Sequence, residues 1–162
     1  MNMHISDEDF QPAQIAEIGS TCTNIAPFDL RRRKSSWQDE IVNSLLRFIE
    51  LPIGWDSYRG RPLRHDTGMF ALQIMDSILG PSIPMPHLVP IADGGVQAEW
   101  HQNGFDIELY ISAPYECELL VVDHISGETR VTPLTTDFSP LNRALRELVN
   151  YNRQYGARAD AG

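Results

Sequence analysis

The sequence predicts an α+β fold, a two-layer sandwich in which an antiparallel β-meander of about four strands is packed by three helices. Three observations predict it. Asn103-Gly104 joins two runs in which apolar and polar residues alternate, within 94–111. A type I′ turn needs positive φ at both central residues, which Asn-Gly supplies. Trp37, Ile41, Leu45 and Phe48 step by four, four and three, and Leu141, Leu145 and Leu148 by four and three, each set forming one apolar helical stripe. The order of signals along the chain is helix, helix, strands, helix, which suits helices packed on one face of a meander.

At 162 residues the chain fits one domain plus tails. Residues 1–35 read as a poorly ordered arm with no sustained period, 36–152 as a single α+β domain, and 153–162 as a frayed tail. Ser36 is a suitable N-cap for the first helix, with Asp39 and Glu40 favoured in its first turn by the helix dipole. Pro52 ends that helix at or before Leu51. The loop 51–60 follows, Leu-Pro-Ile-Gly-Trp-Asp-Ser-Tyr-Arg-Gly. Gly54 and Gly60 permit unusual dihedrals there, Asp56 and Ser57 are placed to bond nearby amides, and Trp55 and Tyr58 are expected to plug one end of the core. A second helix is expected over 65–79, with Leu72, Met75 and Leu79 inward and Gly80-Pro81 as its stop.

Prolines 81, 84, 86 and 90 keep the next segment extended, and 87–91 suits an edge strand, where proline is tolerated. Asp93-Gly94-Gly95 turns the chain into the hairpin. Strands over 117–124 and near 129–132 come next, and Ser139-Pro140 opens the last helix, with serine as cap and proline in the first position. Trp100 belongs to the apolar hairpin face, so Trp100→Ala is expected to cost roughly 3–5 kcal/mol.

Composition narrows the function. The net charge is −9; the first 36 residues hold Arg31, Arg32, Arg33 and Lys34 against five acids, so −8 falls on the rest. Such a surface repels a phosphate backbone, which argues against duplex DNA binding by the folded part and for a basic partner or plain solubility. The residues at 31–34 read as a solvated linker or a contact with an acidic group. The first ten residues carry Asp7, Glu8 and Asp9 and do not resemble a secretory signal, and no apolar run approaches the ~20 residues of a membrane helix. Cys22 and Cys117 lie far apart without metal spacing, as expected of reduced thiols in a cytoplasmic protein.

The hairpin turn fixes a register: Gln102 opposite Phe105, His101 opposite Asp106, Trp100 opposite Ile107, Glu99 opposite Glu108, Ala98 opposite Leu109. Gln97, Glu99, His101, Asp106, Glu108 and Tyr110 then share the polar face. If 113–116 form a four-residue loop, Ser112 pairs with Cys117, Asp123 joins that face opposite Asp106, and Leu119 and Val121 point the same way. Like charges directly opposite are destabilising, so Glu99 against Glu108 calls for compensation. The candidate partner-binding residues are Glu99, His101, Asp106, Glu108 and Asp123. A divalent cation or general acid–base chemistry would also use carboxylates. An open sheet face is flat, whereas such sites are concave, and no nucleophile elbow, phosphate loop or His-x-x-x-His pair accompanies the acids. No cofactor is called for. His87 and His124 are expected to play structural parts, and His4 and His65 to lie in the arm and near a helix start.

The loop 51–60 together with Asp-Gly-Gly-Val-Gln-Ala-Glu-Trp at 93–100 resembles a widespread family of small bacterial proteins. Its signature is Gly-Trp-Asp-Ser-Tyr-Gly-Ala, a helix, a proline-rich stretch, then Asp-Gly-Gly-Val-Gln-Leu-Glu-Trp. The likeness spans about 45–112. Gly54, Trp55, Asp56 and Tyr58 match its structural loop, while Arg59-Gly60 stands where it has Gly-Ala, and Ala98 where it has Leu. The resemblance implies a cytoplasmic bacterial protein of the accessory or mobile-element kind and carries no mechanism. The expected function is a non-enzymatic, acidic interaction module of antitoxin, immunity or defence-accessory type, binding a basic protein, with the neighbouring genes as the place to look for it. The alternatives are a small metal-dependent hydrolase using the same carboxylates and a phage-type inhibitor mimicking nucleic-acid charge.

Overall fold

A computed structural model describes residues 36–151; the arm, Cys22 and the C-terminal tail named above lie outside them. The elements run α1 (Ser36–Ile49), α2 (His65–Ile78), β1 (His87–Pro90), β2 (Val96–Gln102), β3 (Phe105–Ala113), β4 (Glu116–Asp123), β5 (Glu128–Leu134) and α3 (Ser139–Tyr151). The five strands form one antiparallel sheet in sequence order. The expected class is therefore found, with five strands rather than about four.

One sheet face is buried. Val96, Ala98, Trp100, Ile107, Leu109 and Ile111 are each at most 1% exposed and join a core with Ile41, Leu45, Ile74, Met75, Leu141, Leu145 and Leu148 from the three helices. The α1 stripe behaves as its spacing requires, with Ile41 and Leu45 buried and Trp37 and Phe48 packed at the margin. In α2 the burial is broader than a single stripe, taking in Thr67, Gly68, Phe70, Ala71, Ile74 and Ile78. No helix among the described residues is long and apolar enough to cross a membrane.

Trp100 is 1% exposed and its indole N–H donates to the carbonyl of Pro84 at 2.9 Å. The proline-rich segment thus satisfies the one polar atom of the largest core side chain. Asn103 and Gly104 take φ of 57° and 79°, as a type I′ turn needs, and the Asn103 side-chain amide donates to the carbonyl of Leu148 at 3.2 Å, tying the turn to α3.

Three expectations need correction. Tyr58 is not a core plug: it is 86% exposed. Its loop is closed by polar contacts instead, with Asp56 Oδ1 accepting the amides of Tyr58 (2.9 Å) and Gly60 (2.8 Å), and the Trp55 indole donating to the Arg61 carbonyl (3.0 Å). Those two amides, Gly60 first, hold the Asp56 carboxyl below its ordinary range. Gly54 has φ +80° as expected, whereas Gly60 is needed because a Cβ there would lie 2.8–2.9 Å from Asp56 and Trp55. At α3, Ser139 is already helical, and the Asp137 carboxylate accepts its amide and its hydroxyl, at 2.8 and 3.0 Å.

The third correction concerns β4. The ladder pairs Ile111 with Cys117 and Ala113 with Glu116, so Ser112 is an extra residue in β3. Pro114 and Tyr115 (φ 66°) form a two-residue turn, with proline before a positive φ as in a type II turn. The one-residue bulge reverses the expected sidedness of β4: Leu119 and Val121 are buried at 2% and 4%, while Leu120 and Val122 face the other way.

Candidate functional site: the open sheet face

With the helices on one side, the other side of the sheet is left to the polar half of each strand. The β2–β3 register is the expected one, Glu99 opposite Glu108 and His101 opposite Asp106, so Gln97, Glu99, His101, Asp106, Glu108 and Tyr110 do share this face. Asp123 does not. It pairs with Phe105 rather than Asp106, and its carboxylate closes the β4–β5 turn by accepting the amides of Ile125 (2.8 Å) and Ser126 (3.2 Å) and the Ser126 hydroxyl (2.7 Å). The serine hydroxyl leads in holding its pKa down. The cause of the misplacement is the Ser112 bulge.

The compensation that Glu99 against Glu108 demands comes from Gln97. Its amide donates to Glu99 Oε1 at 3.1 Å and to Glu108 Oε2 at 2.8 Å, bridging the facing carboxylates. The signal was present: a glutamine two residues before Glu99 on the same strand lies on the same face and diagonal to Glu108.

Histidines gather on this face more than expected. His101 Nδ1 is 2.8 Å from Asp106 Oδ1 and its Nε2 is 3.3 Å from Glu99 Oε2. His124 Nε2 is 2.6 Å from Asp106 Oδ2, and His87 Nδ1 is 3.5 Å from Glu99 Oε2. His87 and His124, expected to be structural, thus belong to the cluster. The bond to Asp106, more than that to Glu99, raises the His101 pKa against the opposing effect of burial. The bonds from His124 and then His101 hold Asp106 below its usual range.

At the far end of the face the Tyr110 hydroxyl donates to Asp93 Oδ2 at 2.8 Å, and Asp93 Oδ1 accepts the Gly95 amide at 2.9 Å. Burial, then Asp93, raises the tyrosine pKa. Arg64 donates to the carbonyls of Asp93 and Ser112, and its Nε lies 3.8 Å from Asp66 Oδ1, so its guanidinium is engaged at this edge.

Beside the acids runs an apolar strip: Leu120 and Val122 on β4 and, opposite Leu120, Val131 on β5, which is 57% exposed. Among the described residues no group of three or more His, Cys, Asp and Glu is disposed to hold a metal ion. A groove of about 250 Å³ lies on the helix side, between α3 and β4–β5, floored by Leu119, Val121 and Ala144. Its Arg130 is 3.1 Å from Glu147 Oε2. It is remote from the carboxylates by the full thickness of the sheet. No family model, curated protein or solved structure matches the chain, so what it does has to be read from this open face.

Proposed function

We propose that the chain is a non-enzymatic interaction module whose open sheet face docks a basic protein segment. One observation carries the reading: Glu99, Asp106 and Glu108 sit side by side on the open face, next to the half-buried Leu120 and Val122 and the exposed Val131. No lysine or arginine among the described residues is paired with any of these three acids. Acids beside exposed apolar side chains suit a partner that presents a basic row next to an apolar one. The charge of −8 beyond residue 36 would speed its approach, and added salt would slow it. We further propose a cytoplasmic setting of the antitoxin, immunity or defence-accessory kind, on the strength of the loop and hairpin motifs quoted above.

The test is co-expression with the products of adjacent genes, followed by a charge-matched comparison. Glu99→Lys plus Glu108→Lys should abolish capture of a basic partner. Glu40→Lys plus Glu50→Lys, the same charge change on exposed positions of and beside α1, should leave capture intact. Equal loss in both would reduce the effect to net charge, and no loss in the first would remove this face as the contact.

A further inference from the structure

Charge alone does not explain why three imidazoles are interleaved with two carboxylates here. Across the face the order is His87, Glu99, His101, Asp106, His124, with successive N–O distances of 3.5, 3.3, 2.8 and 2.6 Å. A neutral imidazole has one donor and one acceptor nitrogen; only the imidazolium donates from both. His101 has a carboxylate oxygen at each nitrogen, so its two bonds are complete only when the ring is protonated. Without that proton, Glu99 or Asp106 loses a donor and the face gains a negative charge.

The groups that set this balance all lie on the same side of the sheet. Glu99 and Gln97 come from β2, Asp106 and Glu108 from β3, His87 from β1, Glu118 from β4, and His124 from just beyond β4. Asp93 and Tyr110 are paired with each other at the far end, where Arg64 holds backbone carbonyls. A lysine or arginine arriving on the face needs the oxygens that His101 already holds.

We propose that proton and partner compete for the same oxygens: a basic segment docking on Glu99 and Asp106 displaces them from His101 and expels its proton, so acidification releases the partner. The ligand in this inference rests on the docking reading above, whereas the proton rests on the hydrogen-bond geometry. By linkage, whatever factor protonation takes from the affinity, docking takes from proton affinity. One expelled proton makes the affinity fall by up to about tenfold per pH unit below the His101 midpoint.

Two measurements on the full chain separate the parts. Without any ligand, an NMR titration of the histidine rings should place the His101 midpoint above the ordinary value of 6.5, and Glu99→Gln or Asp106→Asn should lower it. A midpoint at or below the ordinary value would overturn the hold of Glu99 and Asp106 on a protonated His101 ring. With a hexa-arginine peptide as probe, calorimetry between pH 5.5 and 8 should show affinity rising with pH. In two buffers of different ionisation enthalpy it should show protons released on binding. His101→Gln, which keeps a donor and cannot charge, should bind at acidic pH several-fold more tightly than the parent chain and with a flatter profile. Peptide binding with no pH dependence and no proton release would overturn the competition and leave docking standing. Failure of the peptide to bind at any pH would overturn both docking and competition, with the ring titration still deciding whether the two carboxylates hold His101 protonated.

Discussion

Glu99 and Glu108 face each other across a ladder position, and a single glutamine makes that tolerable. Gln97 offers both of its amide protons to the two carboxylates, at 3.1 and 2.8 Å. Removing it leaves two facing anions with fewer donors and no bridge. Gln97→Ala should therefore lower stability by about 1–2 kcal/mol at neutral pH. Urea denaturation checks this, and the deficit should shrink at high salt, because the loss is partly repulsion that counterions screen. A deficit independent of salt would assign Gln97 to packing instead. At this scale the sequence was largely legible. The Asn-Gly turn set every pair of the hairpin, and the acid-against-acid position announced itself. The parts of His87 and His124 were not legible, because each reaches the cluster from a different strand or turn, and only the assembled sheet brings them to Glu99 and Asp106.

Among elements, β4 shows where reading by alternation stops. Cys-Glu-Leu-Leu-Val-Val at 117–122 has consecutive apolar residues on both parities, so its pattern does not choose a face. The choice is made outside the strand, by the Ser112 bulge and the Pro114-Tyr115 turn, and one extra residue exchanges inside for outside. Helices were easier, since a four-four-three spacing leaves one orientation. Even so, the broad burial of α2 exceeds what its inward residues promised, because that helix packs against α1 as well as against β2 and β3. The β4 assignment yields a direct contrast. Leu119→Ala removes a side chain only 2% exposed and should cost about 2–5 kcal/mol. Leu120→Ala, one residue on, should cost well under that and instead weaken partner capture. Thermal denaturation of the two variants decides it; the reverse order would restore the register without a bulge.

For the whole molecule, one thiol reports on the integrity of the sandwich. Cys117 is 8% exposed, and burial pushes its pKa up to about 12, so little reactive thiolate exists near neutrality. In a chain with Cys22→Ser, iodoacetamide at pH 8 should label Cys117 only as fast as the β3–β4 pairing opens, and at once in denaturing urea. Rapid labelling of the native chain would mean that this part of the sheet opens readily. The helices confine the packed interior to one side, and the consequence reaches beyond stability. Along β2, β4 and β3 up to its bulge, residues that hold the molecule together alternate with residues of the open face. If the open face docks a partner as proposed, selection can exchange its side chains, and drift from one binding specificity to a neighbouring one, while the packed interior stays unchanged.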